Sequence, residues 1–324
     1  MRTSKFCILY GLAAFLLLSL SKVSALDDVP AWGNASVAIK FEEDPKMFPD
    51  VWLKPPMSAR SVALDAVGDS DEIVRVQNFL HEELAKYPQD MLKANLHDIY
   101  VVRELAYENT NVGGFTWAES KRIYLQSEGS GRVSMGGHWR SGFHHEFAHL
   151  LAANHSSLLS MSQWQKLNPP TFQYGNGGLE SIRLGTAGTE LPDITSWKQG
   201  FARLYGMSGP REDFACLCES VFSGDPQFWQ AVDQYDVLGK KVRMIMAFYH
   251  SLNKRLTEPY FRHLQPYTDP DALPNYNIGD VILFPAGGTV YLSGTPARRV
   301  SIPPGGSYIY SDPLVVIVIN PPGK

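Results

Sequence analysis

The chain has 324 residues, a formal net charge of −4 and 44% hydrophobic residues. So small a charge excludes a large basic surface for nucleic acid, and the hydrophobic share is that of a globular protein with room for one large domain or two unequal ones. The chain holds three cysteines, too few for a disulfide-stapled scaffold.

The chain opens with Arg2 and Lys5, then an apolar run from Phe6 to Leu20, then small residues at Val23-Ser24-Ala25. This pattern predicts a cleaved secretory signal peptide over residues 1–25, the apolar run being short for a membrane span. Cys7 leaves with it. No later segment is long enough to span a bilayer: Leu314 to Ile319 is apolar but only strand-length, and the Pro321-Pro322-Gly323-Lys324 ending does not resemble a lipid-anchor tail. The mature protein is expected to be secreted and soluble, with glycosylation acceptors at Asn34-Ala35-Ser36 and Asn154-His155-Ser156.

Residues 26–70 read as an N-terminal arm, rich in Pro, Trp and Asp over residues 26–60, either ordered or a short propeptide. From Asp71, the spacing of Ile73, Val76, Phe79, Leu80 and Leu84 predicts a helix to about Lys86, ended by Pro88. Strands are expected at Ile99 to Val102, Phe115 to Trp117 and Arg122 to Leu125. Gly113-Gly114 marks a turn, and Gly129-Ser130-Gly131 and Gly136-Gly137 mark loops. A helix from near Gly142 through Leu151 would bury Phe143, Phe147, Leu150 and Leu151.

Residues 156–197 are loop-rich. A helix opens near Pro210, a favoured first helical position, and runs through Phe222; a further helix covers about Asp225 to Leu256. Cys216 and Cys218 lie two apart on the earlier of these, pointing different ways, so two buried free thiols are expected. After Pro266, short strands at Val281 to Phe284, Thr289 to Leu292, Val300 to Ile302, Tyr308 to Tyr310 and Leu314 to Ile319 suggest a small all-β appendage over residues 266–324. Its Tyr291, Tyr308 and Tyr310 offer rings for stacking on sugars, although such strands more often form a plain packing module.

The strongest chemical signal is His145-Glu146-Phe147-Ala148-His149. Residues four apart share a helical face, so His145 and His149 can ligate one zinc ion, with Glu146 at the neighbouring edge as general base. The pattern fixes only three residues and also occurs in helices with two ordinary histidines. A zinc site of this kind needs a third protein ligand. The residues alone leave Glu212, Asp213, Glu219, His155, His250 and His263 as candidates. His155 is disfavoured because the zincins with a third histidine at that spacing need a glycine where this chain has Ala152. His144 faces another side of the helix and reads as structural or cleft-lining, His138 and Trp139 as possible cleft residues. Phe115 and Trp117 read as core before cleft, and Glu180, Asp193 and Asp213 as solvated or capping. No Gly-x-Ser-x-Gly pattern is present, and no lysine-bearing phosphate loop follows the glycine pairs.

Tyr205-Gly206 followed by Glu212-Asp213-Phe214-Ala215 resembles the catalytic domain of anthrax lethal factor and the secreted Pro-Pro endopeptidases, which are gluzincin-like zinc peptidases. In those proteins a tyrosine precedes the glutamate ligand by seven residues, and here 212 − 205 is seven. The resemblance covers about residues 75–250. It implies an α+β zincin-like metallopeptidase domain over residues 71–265, with one Zn2+ on His145, His149 and Glu212, Glu146 as base, and Tyr205 as hydrogen-bond donor to the oxyanion. Lys121 to Leu125 resembles the edge strand that receives substrate. Pro-Pro specificity is implied by resemblance only. The chain departs from the pattern at Cys216, where the relatives usually carry an acidic residue; Glu219, on the same helical face, is a possible substitute. The gap from His149 to Glu212 (212 − 149 = 63 residues) is longer than usual, so the extra loop is expected to reshape the cleft. The leading expectation is a secreted endopeptidase acting on an extracellular protein. The rival is a secreted binding protein on an inactive zincin scaffold, which Cys216 and the appendage motivate and the intact Glu146 opposes.

Overall fold

The computed structural model describes residues 37–42, 44–64, 68–127, 136–188, 194–265, 281–284, 288–292, 298–309 and 316–319. The expected signal peptide and Asn34 lie outside them, as do Asp193 and the side chains of His138, Trp139, Tyr291 and Tyr310.

In chain order, the first half contains β1 (Ala38–Lys40), β2 (Arg60–Val62), α1 (Ser70–Leu84), α2 (Gln89–Asn95), β3 (Asp98–Val102), β4 (Glu104–Tyr107), β5 (Thr110–Asn111), β6 (Gly114–Trp117), β7 (Arg122–Gln126) and α3 (Gly136–Asn154). A four-stranded sheet has the order β1-β3-β7-β6. The first three strands are parallel, and β6 runs antiparallel to β7. All five residues of β3 are buried, as a central strand covered on both faces requires. Two strands come from the segment that reads as an arm: β1 extends this sheet, and β2 joins β4 and β5 in a second, antiparallel sheet.

Strand alternation splits the main sheet into two faces. Tyr100, Val102 and Tyr124 cluster with Met47, Phe48 and Ala59, and Trp52, Phe115 and Trp117 pack against them. Phe115 and Trp117 thus pack on the core while partly exposed, and Phe115 also lines the cleft. The opposite face carries Ile99, Val101, Ile123 and Leu125, all buried, and α3 packs on β6 and β7. Phe143, Phe147, Leu150 and Leu151 are each fully buried on α3, each burial being worth roughly 1.5–3 kcal/mol.

Two expectations need correction here. The strand at Lys121 to Leu125 is not an edge: β7 is bonded on both sides, and among the described residues the terminal strand on its side of the sheet is β6. The reason is a tight reversal at residues 118–121, where Lys121 takes a left-handed φ of 54° and folds β6 back along the outside of β7. Gly136 and Gly137, expected in a loop, are the first two residues of α3.

The second half holds α4 (Met161–Gln165), α5 (Gly178–Arg183), α6 (Ile194–Lys198), α7 (Pro210–Phe222), α8 (Pro226–Gln234), α9 (Asp236–Leu252) and α10 (Glu258–His263). The single helix expected from Asp225 to Leu256 is broken at Tyr235, which is extended (φ −106°, ψ 113°). The break lets α9 fold back on α8, where Gly239 comes so close to the Val232 carbonyl that a Cβ would lie 2.8 Å from it. Beyond α10, β8 (Val281–Phe284), β9 (Gly288–Leu292), β10 (Arg298–Ile302), β11 (Gly306–Ile309) and β12 (Val316–Ile319) form two antiparallel sheets, β10-β9-β12 and β11-β8. Tyr308 is half-buried on β11. No helix among the described residues is long and apolar enough to cross a membrane.

Helix α3 is fixed from behind by a buried polar chain. His144, 2% exposed, bonds Glu83 Oε2 through Nε2 at 2.7 Å and the Tyr87 hydroxyl through Nδ1 at 2.7 Å, and its ring stacks on Phe222. His144 is therefore structural and turned away from the cleft. Lys86 Nζ sits 2.5 Å from the same Glu83 oxygen. Burial alone would raise the Glu83 carboxyl, but His144 and Lys86 outweigh it and hold the pKa at about 2, against an ordinary 4.5. A depressed carboxyl contributes stability that is whole above its unfolded pKa and lost as pH falls through the folded one. Glu83 is therefore expected to contribute about 3 kcal/mol that disappears between pH 4.5 and 2. Urea unfolding across that range should show the loss in the wild type and a flatter dependence in Glu83→Gln; equal slopes would reject the assignment.

Candidate metal centre and its cleft

Helix α3, which packs on β6, also packs on α7, and the two helices present polar side chains to one point. His145 and His149, one turn apart on α3, bring their Nε2 atoms to 3.1 Å. Glu212, in the first turn of α7, sets Oε2 at 3.2 Å from each. Pro210 and the extended Gly209 start α7, so Glu212 falls where the chain emerges from the loop and faces the cleft.

With both imidazoles protonated on Nδ1, all three atoms are acceptors, so lone pairs meet at the centre unless a cation lies between them. The sides of this triangle lie close to the roughly 3.3 Å edge of a tetrahedron whose corners are about 2.0–2.1 Å from zinc. Two imidazole nitrogens and one carboxylate oxygen also match the donor preference of that metal. Burial alone would raise the Glu212 carboxyl, but the two imidazoles hold it well below the ordinary range. Burial would lower His145, yet Cys216, Glu212 and Glu219 push it well above the usual imidazole value.

Glu146 is buried beside this triangle, and burial raises its carboxyl above the ordinary range, the neighbouring imidazoles offsetting only part of the shift. Its side chain packs on β6. A Cβ at Gly114 would lie 2.9 Å from Glu146 Cγ and Oε1 and from the Tyr124 carbonyl. Gly114, expected in a turn, is therefore the first residue of β6 and a packing partner of Glu146. Tyr205, on a short 3-10 turn (Leu204–Ser208) before α7, has its hydroxyl near the Glu212 carboxylate, since a Cβ at Gly178 would overlap both. Burial first and Glu212 second raise the tyrosine pKa, so the hydroxyl keeps its proton. The structure thus brings His145, Glu146, His149, Tyr205 and Glu212 together. His155 instead bonds Asn95 and His263 a carbonyl of its own helix. Cys216 and Cys218 are buried and free, and Asn154 is exposed at the end of α3.

The cleft has a volume of about 910 Å³ and runs from β6 to α7. The loop-rich segment supplies its far wall. Gly175 and Gly177 donate main-chain bonds to the carbonyls of Met207 and Ser208 at 3.0 and 2.8 Å. Helix α5 then crosses to the hairpin of β4 and β5, where Arg183 bonds Thr110 Oγ1 and the Glu108 carbonyl, both at 2.9 Å, and the Glu108 carboxylate at 3.0 Å. Leu179 and Ile182 pack against the aromatic cluster on the way, and Glu180 pairs with Arg183.

Asp213 is neither solvated nor a cap. It is fully buried, and its Oδ2 accepts from Lys241 Nζ at 2.7 Å, Trp164 Nε1 at 2.9 Å and the Tyr174 hydroxyl at 2.5 Å. Lys241 also bonds the Gly200 carbonyl and sits 3.7 Å from the centre of the Phe201 ring. The pair fixes α7 one residue from Glu212. The sequence carried a signal for it: Lys241 lies in one apolar stripe with Leu238 and Ile245, and a lysine there needs a buried partner. Gly178 and Arg203 carried no signal of that kind.

No protein-family profile matches the chain, and no curated protein matches it. Among solved structures it is similar to a "putative zinc-binding metallo-peptidase" from Bacteroides caccae, with 15% identity and a TM-score of 0.41 over 71% of this chain and 87% of that one. Similarity at that level carries no functional argument.

Removing Lys241 leaves the Asp213 charge buried and unpaired. Lys241→Met is expected to cost about 3–5 kcal/mol, and Lys241→Met with Asp213→Asn to recover much of it. Urea titration of the single and double variants measures this; a single variant as stable as the wild type would dismiss the anchor.

Proposed function

We propose that the chain is a secreted zinc-dependent endopeptidase acting on an extracellular protein. The observation that carries this reading is the convergence of His145, His149 and Glu212 to within 3.2 Å of one another, with Glu146 and the Tyr205 hydroxyl beside them. Those three residues would hold one Zn2+, which when bound supplies Lewis acidity and a more acidic water. Glu146, its proton affinity raised by burial, takes a proton from the attacking water and returns it to the leaving amine. Tyr205 keeps its proton and donates to the oxygen on which negative charge develops. The outer edge of β6 offers main-chain groups to which an extended peptide can add as a further strand. Gln126 N bonds the Gly113 carbonyl, so by antiparallel alternation Gly114 and Thr116 turn their main-chain groups outward. The resemblance of Tyr205 and Glu212 to the lethal factor and Pro-Pro endopeptidase pattern supports the same reading, and the N-terminal apolar run supports secretion. The rival, a binding protein without turnover, draws on Cys216 in place of an acidic residue.

Metal content, measured beside proteolysis of unfolded protein substrates, separates the two. The wild type should carry about one zinc per chain, lost in His145→Ala and Glu212→Ala. Glu146→Gln should keep the metal and lose about 10²–10⁴-fold in turnover. Metal uptake without proteolysis of any substrate would favour the binding protein, and a folded wild type that takes up no zinc would remove the peptidase and leave the binding protein. Tyr205→Phe should lower kcat by about 10²–10³-fold with unchanged metal content; an unaltered kcat would strip Tyr205 of its role.

A further inference from the structure

A histidine that ligates through Nε2 carries its proton on Nδ1, and that proton needs an acceptor to fix the ring. His145 turns Nε2 to His149 and Glu212. Its Nδ1 lies 3.5 Å from Glu219 Oε2 and 3.9 Å from Cys216 Sγ. A thiol sulfur is a weak acceptor, whereas a carboxylate is charged and strong. Glu219 is also held in place: the same Oε2 accepts from the Arg203 guanidinium at 3.0 Å, and both side chains are at most 11% exposed. Positions 212, 216 and 219 lie on one face of α7, four and seven residues along, so the helix that presents Glu212 also presents Glu219 to the back of His145.

We propose that Glu219, anchored by Arg203, is the positioning residue of the His145 ring, filling the role that an acidic residue at position 216 would otherwise take. This rests on the metal reading above. His145, Cys216 and Glu219 are themselves close enough to surround an ion. The Arg203 guanidinium already neutralises Glu219 there, however, and opposes a second cation. Arg203 also lies over the Tyr205 ring, 5.7 Å from its centre, so one cation braces both the carboxylate behind His145 and the tyrosine beside Glu212.

The test is the zinc dissociation constant, read by competition with a chromogenic chelator on the full mature chain, with circular dichroism to confirm folding. Glu219→Gln and Glu219→Ala are expected to bind zinc about 10–100-fold more weakly, and Cys216→Ala to bind within a fewfold of wild type. The decisive variant is Cys216→Asp combined with Glu219→Ala. It restores a carboxylate to the face of α7 that meets Nδ1 and should recover most of the lost affinity, which a merely structural loss would not. Should Glu219→Ala fail to fold, the isosteric Glu219→Gln decides. Wild-type affinity in Glu219→Gln overturns the proposal, as does Cys216→Ala weakening zinc as much as Glu219→Ala. A wild-type chain that takes up no zinc overturns the metal reading and this proposal with it. That outcome is recognised because the chain with Glu219 intact then fails as well.

Discussion

The packing of α3 on α7 is the constraint on which the site depends. His145 and Glu212 are 67 residues apart in sequence, so the geometry between them is set entirely by how two helices pack. Each is fixed on the side away from the cleft by a buried polar contact that admits little sliding. His144 ties α3 to α1 through Glu83 and to Tyr87, and Asp213 ties α7 to α9 through Lys241. In both cases the anchor is the immediate sequence neighbour of a residue that faces the cleft. Adjacent helical residues point about 100° apart, so one member of each pair faces the site and the other faces the core. A shift of either helix that moved the donors would also break a buried ionic or hydrogen-bonded contact, where the cost is high.

Close approach does the rest. At Gly114 and Gly178 the main chain comes so near the Glu146 and Glu212 carboxylates that a side chain would overlap them. The edge strand and the wall of the cleft are therefore both built against carboxylates, and the absence of a side chain is the structural content of these two positions. Gly177, just before Gly178, takes a φ of 102°, a conformation in which glycine is unpenalised, so the turn that delivers Gly178 depends on the same residue type.

Local pattern made much of this legible. The His145–Glu146–His149 spacing places its residues on one helix because helical periodicity is a local property, and α7 begins at Pro210 for an equally local reason. The seven-residue step from Tyr205 to Glu212 needed the likeness to known peptidases, because the two belong to different elements. What escaped the sequence was tertiary. Which strand lies at the sheet edge depends on the direction in which a hairpin folds, and the seven-residue step between the starts of the expected strands does not encode that direction. Asp213 reads as polar surface until Lys241 is placed opposite it. Arg203 stands in an extended stretch just before the turn that carries Tyr205, so nothing local relates it to Glu219. The break at Tyr235 answers to the packing of α9 on α8, where helix propensity alone favours continuity.

Helix α5 spans the cleft between two unequal fastenings. At the Gly175 and Gly177 end it is held by main-chain bonds to the turn that carries Tyr205. At the other it is held by the half-exposed Arg183 on Glu108 and Thr110. Charges in contact with water are screened over about 8–10 Å at ordinary salt, and exposed ion pairs are worth about 0–1 kcal/mol, whereas neutral main-chain bonds are indifferent to ionic strength. The two ends of the wall therefore differ in composition: the end near the His145, His149 and Glu212 triangle rests on main-chain bonds, and rising salt weakens only the ion pair at the hairpin, where Leu179 and Ile182 still pack on the aromatic cluster.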